Sequence, residues 1–292
     1  MDRRPLGKAG LNVSVLGLGA GRLGDDEVPE DAVSELLNTA LDAGINFIDT
    51  APSYGASEER IGRHLQHRRD DFLLATKGGY GVPGVPDWTP EVIAPGIEQS
   101  LSRMKTDRID VFQLHSCPRE VAMRDDMLAA LEKAKDTGKV RFTGYSGEGE
   151  ALAWAVRSGK FDAVQCSVNL FDQKNLEYVV PAGAHHGVGV IAKRSLGNAV
   201  WRHAAWPKGE DADYWMRMQA MQLDVGELEW AEIALRFSAF TPGVSTALVG
   251  TMRPDHLEDS VAAVAKGPLP EETRLRIHAA FQSKDRGWSS KV

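Results

Sequence analysis

GINFIDTAPSYGASEERIG, residues 44–62, is the stretch on which the reading of this chain turns. Ile45, Phe47 and Ile48 form a short apolar run, the mark of a buried strand, and the run stops at a carboxylate, Asp49. Tyr54 follows on a loop between Pro52 and Gly55. A strand that is buried and still ends in a charge must present that charge to something.

The same pattern recurs on both sides. Apolar runs at 13–20, 45–51, 72–79, 109–116, 141–147, 163–169, 188–194 and 244–251 read as buried parallel strands. Amphipathic stretches separate them. PEDAVSELLNTALDAG has helical spacing and ends on Gly44; TPEVIAPGIEQSLSRM opens with Thr89 and Pro90 in N-cap order. Further helices are expected near 122–136, 149–159, 174–183, 228–239 and 254–264. Eight strands alternating with helices predict an α/β fold, a (β/α)8 TIM barrel formed by residues 1–292 as one domain. The opening RPLGKAGLNVS predicts an N-terminal β-hairpin at the barrel bottom, and long loops are expected at the C-terminal face. The rival, a doubly wound open sheet, fits less well. GLGAG at 17–21 is followed by the polar RLGDDEVPE rather than by a helix start. The segment 195–227, with Trp201, Trp206 and Trp215, is too long for a simple connection.

Composition limits the function. A formal net charge of −7 argues against nucleic-acid and anionic-membrane partners. No apolar stretch reaches the roughly 18 residues of a membrane helix. The N-terminus lacks a secretory apolar core, and Cys117 and Cys166 form neither a disulfide framework nor a zinc pattern. A cytoplasmic protein is expected.

Barrels of this type carry their chemistry at the C-terminal ends of the strands. The second strand ends at Asp49 with Tyr54 beyond it, the third at Lys77 and the fourth at His115. A carboxylate, a phenol, an ammonium and an imidazole thus come from neighbouring strands. GINFIDTAPSYGASEERIG, LLATKGG and DRIDVFQLHS resemble three motifs of the aldo-keto reductases, and the resemblance runs over essentially the whole chain. It implies that Asp49, Tyr54, Lys77 and His115 are a catalytic tetrad and that the protein uses a nicotinamide dinucleotide to reduce an aldehyde or ketone, or to oxidise the matching alcohol or sugar.

The chemistry agrees. Carbonyl reduction needs a proton on oxygen. An ordinary phenol titrates near 10, and a neighbouring ammonium favours its ionised form. Tyr54 is therefore assigned as general acid/base, Lys77 and Asp49 as its tuning pair, and His115, as a neutral imidazole, as the donor that polarises the carbonyl.

The resemblance also implies the cofactor contacts. Ser146 and Gln165 match the carboxamide anchors, whereas Gly147 stands where an Asn is usual, a loss that a water or Asn169 could make good. Lys193 and Arg194 occupy the place of a stacking aromatic; Ser195, Leu196 and Gly197 suit a pyrophosphate cradle. Gly250, Thr251, Arg253 and His256 open the last barrel helix, where an anion is favoured. Arg253 there suits a 2′-phosphate, so NADP(H) is preferred to NAD(H), although His256 and Ser260 depart from the family pattern. Arg22, Trp88 and Trp201 are expected to line the substrate pocket, together with Cys117. The small-molecule carbonyl or alcohol itself is not legible, and neither is the oligomeric state. Two alternatives stand. One is a catalytically silent, cofactor-binding sensor or regulatory subunit on the same fold. The other, a metal-dependent hydrolase, would need histidines at the strand ends. The close pairs His64/His67 and His185/His186 are not there, and no metal is expected.

Overall fold

A computed structural model describes residues 1–291. The chain opens with an antiparallel hairpin, β1 (Arg3–Pro5) and β2 (Asn12–Ser14). Eight parallel strands follow: β3 (Leu16–Gly19), β4 (Phe47–Asp49), β5 (Leu73–Gly78), β6 (Ile109–His115), β7 (Val140–Ser146), β8 (Ala163–Ser167), β9 (Gly189–Lys193) and β10 (Thr246–Val249). They close in sequence order, with β10 bonded to both β9 and β3, so the sheet is a (β/α)8 barrel and has no open edge. GLGAG runs from β3 into a short 3-10 turn at Gly21–Gly24.

The apolar run at 13–20 splits in two. Val13 and Ser14 pair with Arg4 and Arg3 in the hairpin, and the barrel strand begins only at Leu16. A side-chain clip makes the break: Ser14 N donates to Asn46 Oδ1 at 2.6 Å, and Asn46 N donates to Ser14 Oγ at 2.9 Å.

The helices are α1 (Glu30–Asp42), α2 (Ser57–Leu65), α3 (Ile93–Met104), α4 (Arg119–Ala122), α5 (Asp125–Asp136), α6 (Gly149–Ser158), α7 (Lys174–His186), α8 (Asp211–Met221), α9 (Trp230–Ala239), α10 (Pro254–Ala265) and α11 (Glu271–Lys284). Helix α1 shows why they form where they do. Val33, Leu36, Leu37, Ala40 and Leu41 make one buried stripe, Glu30 and Asp31 sit in the first turn, and Gly44 with φ +87° ends the run. Among the described residues no helix is long and apolar enough to cross a membrane.

The barrel interior changes character along its axis. Phe47, Ala75, Val111, Ala163, Ile191 and Leu248 form one apolar cluster with Leu6, Leu11 and Val13 of the hairpin, which plugs the lower end. Side chains of a strand alternate between its two faces, so the next inward position lies two residues further on. Those positions hold Asp49, Lys77, Gln113, Gln165 and Lys193, with Gly250 after β10. An apolar floor therefore carries a polar layer at the C-terminal mouth.

Candidate active site at the barrel mouth

Tyr54 is held by its loop. Tyr54 N donates to Ala51 O at 3.1 Å, and Ser57 N donates to Tyr54 O at 3.0 Å. Ser57 Oγ bonds Thr50 Oγ1 and donates to Ala20 O, both at 2.8 Å, tying the loop to the end of β3. The turn after β3 packs so closely that a β-carbon on Gly24 would fall 1.6 Å from the Tyr54 carbonyl oxygen. Only glycine fits there.

Beneath the phenol, Lys77 Nζ donates to Asp49 Oδ2 at 2.6 Å and to Thr50 O at 2.9 Å, and lies 4.8 Å from the centroid of the Tyr54 ring. Lys77 is 1% exposed and Asp49 3%. Burial works against the ammonium, but Asp49 and Tyr54 beside it raise the Lys77 pKa, so the lysine is charged. Gln113 Nε2 donates to the second Asp49 oxygen, Oδ1, at 3.1 Å. Gln113 is not among the residues that the strand ends single out. Its signal is a lone amide in IDVFQLHS, two residues before His115 and so on the same inward face.

His115 meets Tyr54 edge-on, with ring centroids 6.0 Å apart. Burial foremost, then the charges of Lys77 and Lys193, lower its pKa from 6.5 to about 3. The imidazole is neutral. In the unfolded chain it would take a proton first as pH falls, so the stability present above 6.5 is lost between 6.5 and about 3. The melting temperature should accordingly fall less steeply across that window in His115→Gln than in the parent. Parallel curves would show that His115 is not the group being measured.

The mouth opens into a cleft of about 860 Å³ lined by Tyr54, His115, Ser146, Gln165, Lys193, Arg194, Ser195, Leu196, Gly250, Thr251, Arg253 and His256. Ser146 Oγ donates to Gln165 Oε1 at 2.7 Å, which fixes the amide and leaves Gln165 Nε2 buried without a partner among the described residues. An orphaned buried donor beside a cleft fits a ligand carbonyl such as a carboxamide oxygen. Gly147 has a local cause. A β-carbon there would lie 2.8 Å from the Tyr145 hydroxyl, and that hydroxyl is committed to Cys117 O at 2.7 Å. Tyr145 occupies the room a side chain at 147 would need. Asn169 is partly committed, accepting from Phe171 N at 2.9 Å through Oδ1 while its Nδ2 is buried without a hydrogen-bond partner among the described residues.

After β9 the mouth holds a charged pair. Lys193 Nζ lies 3.5 Å from Glu148 Oε1, and burial pushes both towards neutrality, lowering the lysine and raising the glutamate. Arg194, at φ +56°, reaches Glu210 at 3.4 Å. Gly197 is not among the cleft-lining residues, and a β-carbon there would meet the Phe171 ring at 2.7 Å. After β10, Arg253 precedes α10; its Nε donates to Asp255 Oδ1 at 3.0 Å and its Nη2 contacts the other oxygen. Ser260 Oγ donates to His256 O at 2.7 Å.

The expected pocket walls fare differently. Arg22 lines the cleft, exposed and 3.8 Å from Asp25. Trp88 and Trp201 are not among the cleft-lining residues. Trp88 lies over Gly79 and packs on Tyr80 at 5.7 Å. Trp201 stacks on Trp230 at 5.8 Å, in a second apolar cluster with Phe171 and Tyr214. Cys117 is buried at 1% exposure, also away from the lining.

The mouth of the closed parallel barrel thus gathers a buried ammonium–carboxylate pair, a phenol, a neutral imidazole and an orphaned amide around one cleft. The chain belongs to the aldo/keto reductase family, whose model matches residues 15–280. It is 29% identical to the L-galactose dehydrogenase of Arabidopsis thaliana over 100% of this chain and 98% of that protein. It is 26% identical to a probable voltage-gated potassium channel subunit beta of the same plant, over 98% of each. Its fold superposes on the holo form of the aldo-keto reductase AKR11C1 from Bacillus halodurans with a TM-score of 0.85, at 27% identity and 96% coverage of both chains. It is an NAD(P)-dependent oxidoreductase of small-molecule carbonyls and the corresponding alcohols.

Proposed function

We propose that Tyr54 is the proton donor and acceptor of this oxidoreductase, that Lys77 and Asp49 tune it, and that His115 orients the substrate oxygen. The observation that carries this is the fully buried Lys77–Asp49 pair directly beneath the Tyr54 ring. Held by Asp49 and Thr50, with Gln113 fixing the other carboxylate oxygen, the ammonium stays charged next to the phenol without reorganising during the reaction. A neutral His115 donates a hydrogen bond to a carbonyl oxygen without competing for its proton.

The orphaned Gln165 amide, set by Ser146, would hold the carboxamide of the dinucleotide; Ser195 and Leu196 would lie along its pyrophosphate; Gly250, Thr251, Arg253 and His256 would take the adenosine phosphate. When bound, the dinucleotide supplies the hydride. Arg253 favours NADP(H), although its present partner Asp255 competes with a 2′-phosphate. Arg253→Ala should weaken NADPH binding by about tenfold, a lost charge-assisted contact of about 1.5 kcal/mol, and leave NADH almost unchanged. Asp255→Asn should strengthen NADPH binding selectively. Equal effects on both dinucleotides in a fluorescence titration would remove Arg253 from the 2′-phosphate site.

We also infer a single catalytic domain, because one family model spans residues 15–280, and a reducing compartment such as the cytoplasm, in keeping with the two free cysteines. The test of function is a panel of aldehydes, ketones, sugars and their alcohols, each assayed with both dinucleotides. The likeness to a channel beta subunit supports a second reading, a cofactor-bound regulatory subunit. Tight NADPH binding with no turnover anywhere on the panel would favour it.

A further inference from the structure

The imidazole of His115 has a second neighbour besides the cleft. Its Nδ1 lies 2.7 Å from Tyr80 Oη, and Tyr80 Oη donates to Ser53 Oγ at 2.8 Å. Tyr80 is pinned from both sides, its ring 5.7 Å from Trp88 and 5.7 Å from His115. Gly79 leaves room for this packing, since a β-carbon there would meet the Trp88 ring at 2.7 Å. Burial raises the Tyr80 pKa, so its hydroxyl keeps its hydrogen.

That hydroxyl has one hydrogen and two neighbours. Turned to Ser53, as in this structure, it leaves Tyr80 Oη to accept from Nδ1–H, and a neutral imidazole then shows a bare Nε2 to the cleft. Turned to Nδ1, it requires the proton on Nε2. A carbonyl oxygen only accepts hydrogen bonds, so it needs the second arrangement.

We propose that Tyr80 is a positioning residue that sets the tautomer of His115, its hydrogen on Ser53 in the free protein and on Nδ1 when a carbonyl occupies the cleft. The protons balance. Nδ1 passes its proton to Tyr80 Oη, Tyr80 passes its own to Ser53 Oγ, the exposed Ser53 releases one to water, and Nε2 takes one from water in the cleft. No net charge moves. The inference rests on His115 being the residue that orients the substrate oxygen.

Because the free protein holds mostly the wrong tautomer, substrate binding carries the cost of the switch, and removing that cost lowers the apparent dissociation constant. Ser53→Ala takes away the competing acceptor. The ring nitrogens of His115 in 15N-labelled, ligand-free protein should report Nδ1–H in the parent and Nε2–H in Ser53→Ala. The same variant should lower KM for a carbonyl by about threefold at unchanged kcat. Tyr80→Phe, which leaves Nδ1 unpartnered, should lower kcat/KM by about tenfold, so the two variants move activity in opposite directions, which loss of packing alone would not produce. An Nε2–H tautomer in the free parent, or an unmoved Nδ1–H in Ser53→Ala, would overturn the proposal. Either result beside a Tyr54→Phe variant that has lost turnover would leave the assignment of the acid/base intact. A tautomer that switches as expected beside full turnover in Tyr54→Phe would strike the acid/base assignment alone.

Discussion

Tyr54→Phe is expected to lower carbonyl reduction by about 10²–10⁴-fold, the usual range of general acid catalysis, while NADPH affinity stays almost unchanged. The variant deletes one oxygen at the edge of the cleft and leaves the loop intact, because that loop is held by backbone bonds and by Ser57 rather than by the phenol. The loss should therefore appear in kcat and not in folding, which melting curves of the two proteins would check. Parental turnover in the variant would remove Tyr54 from the reaction.

Asp49→Ala should be damaging in a different way. It strips Lys77 of its carboxylate in a site where the ammonium is 1% exposed, and it also leaves Gln113 Nε2 without its acceptor. Removing one member of a buried pair leaves the other charge uncompensated and costs about 3–5 kcal/mol. A shift of that size is readily measured as the midpoint of urea unfolding. The double variant Asp49→Leu with Lys77→Met removes both charges and should regain much of that stability, yet it should be as inactive as either single variant. Recovery of stability without recovery of turnover would show that the pair is present for its chemistry. A double variant that is no more stable than Asp49→Ala would mean that the pair holds the barrel mouth together.

Much of this is legible in the sequence. The eight barrel strands declare themselves because each is covered on both faces, so their apolar runs are short and nearly continuous. Their edges were harder. Val13 reads like a barrel residue, but the clip between Ser14 and Asn46 assigns it to the hairpin, and that contact spans 32 positions of sequence. Helices α8 and α11 were missed for a reason visible in their buried faces. Helix α8 is anchored by Tyr214, Arg217 and Met221, one of them charged, and α11 buries only Ile277 and Phe281, so neither shows a clear apolar period.

The site divides along the same line. Residues fixed by strand register, such as Asp49, Lys77, His115 and Gln165, follow from counting along strands. Residues fixed by contacts between loops do not. Trp88 and Trp201 looked like pocket walls because aromatic side chains on long loops often are, yet one supports Tyr80 and the other packs on Trp230. Tyr80 and Ser53 carry no sequence signal because their link to His115 exists only after the loops have folded together.

The most direct test follows the hydrogen itself. The protein would be mixed with NADPH carrying deuterium at nicotinamide C4 and with a reactive aldehyde, and the alcohol analysed by mass spectrometry. Deuterium is expected on the alcohol carbon, formed by the parent and, about 10²–10⁴-fold more slowly, by Tyr54→Phe. Dinucleotide bound tightly by both proteins, with no deuterium reaching any carbonyl of the panel, would contradict it.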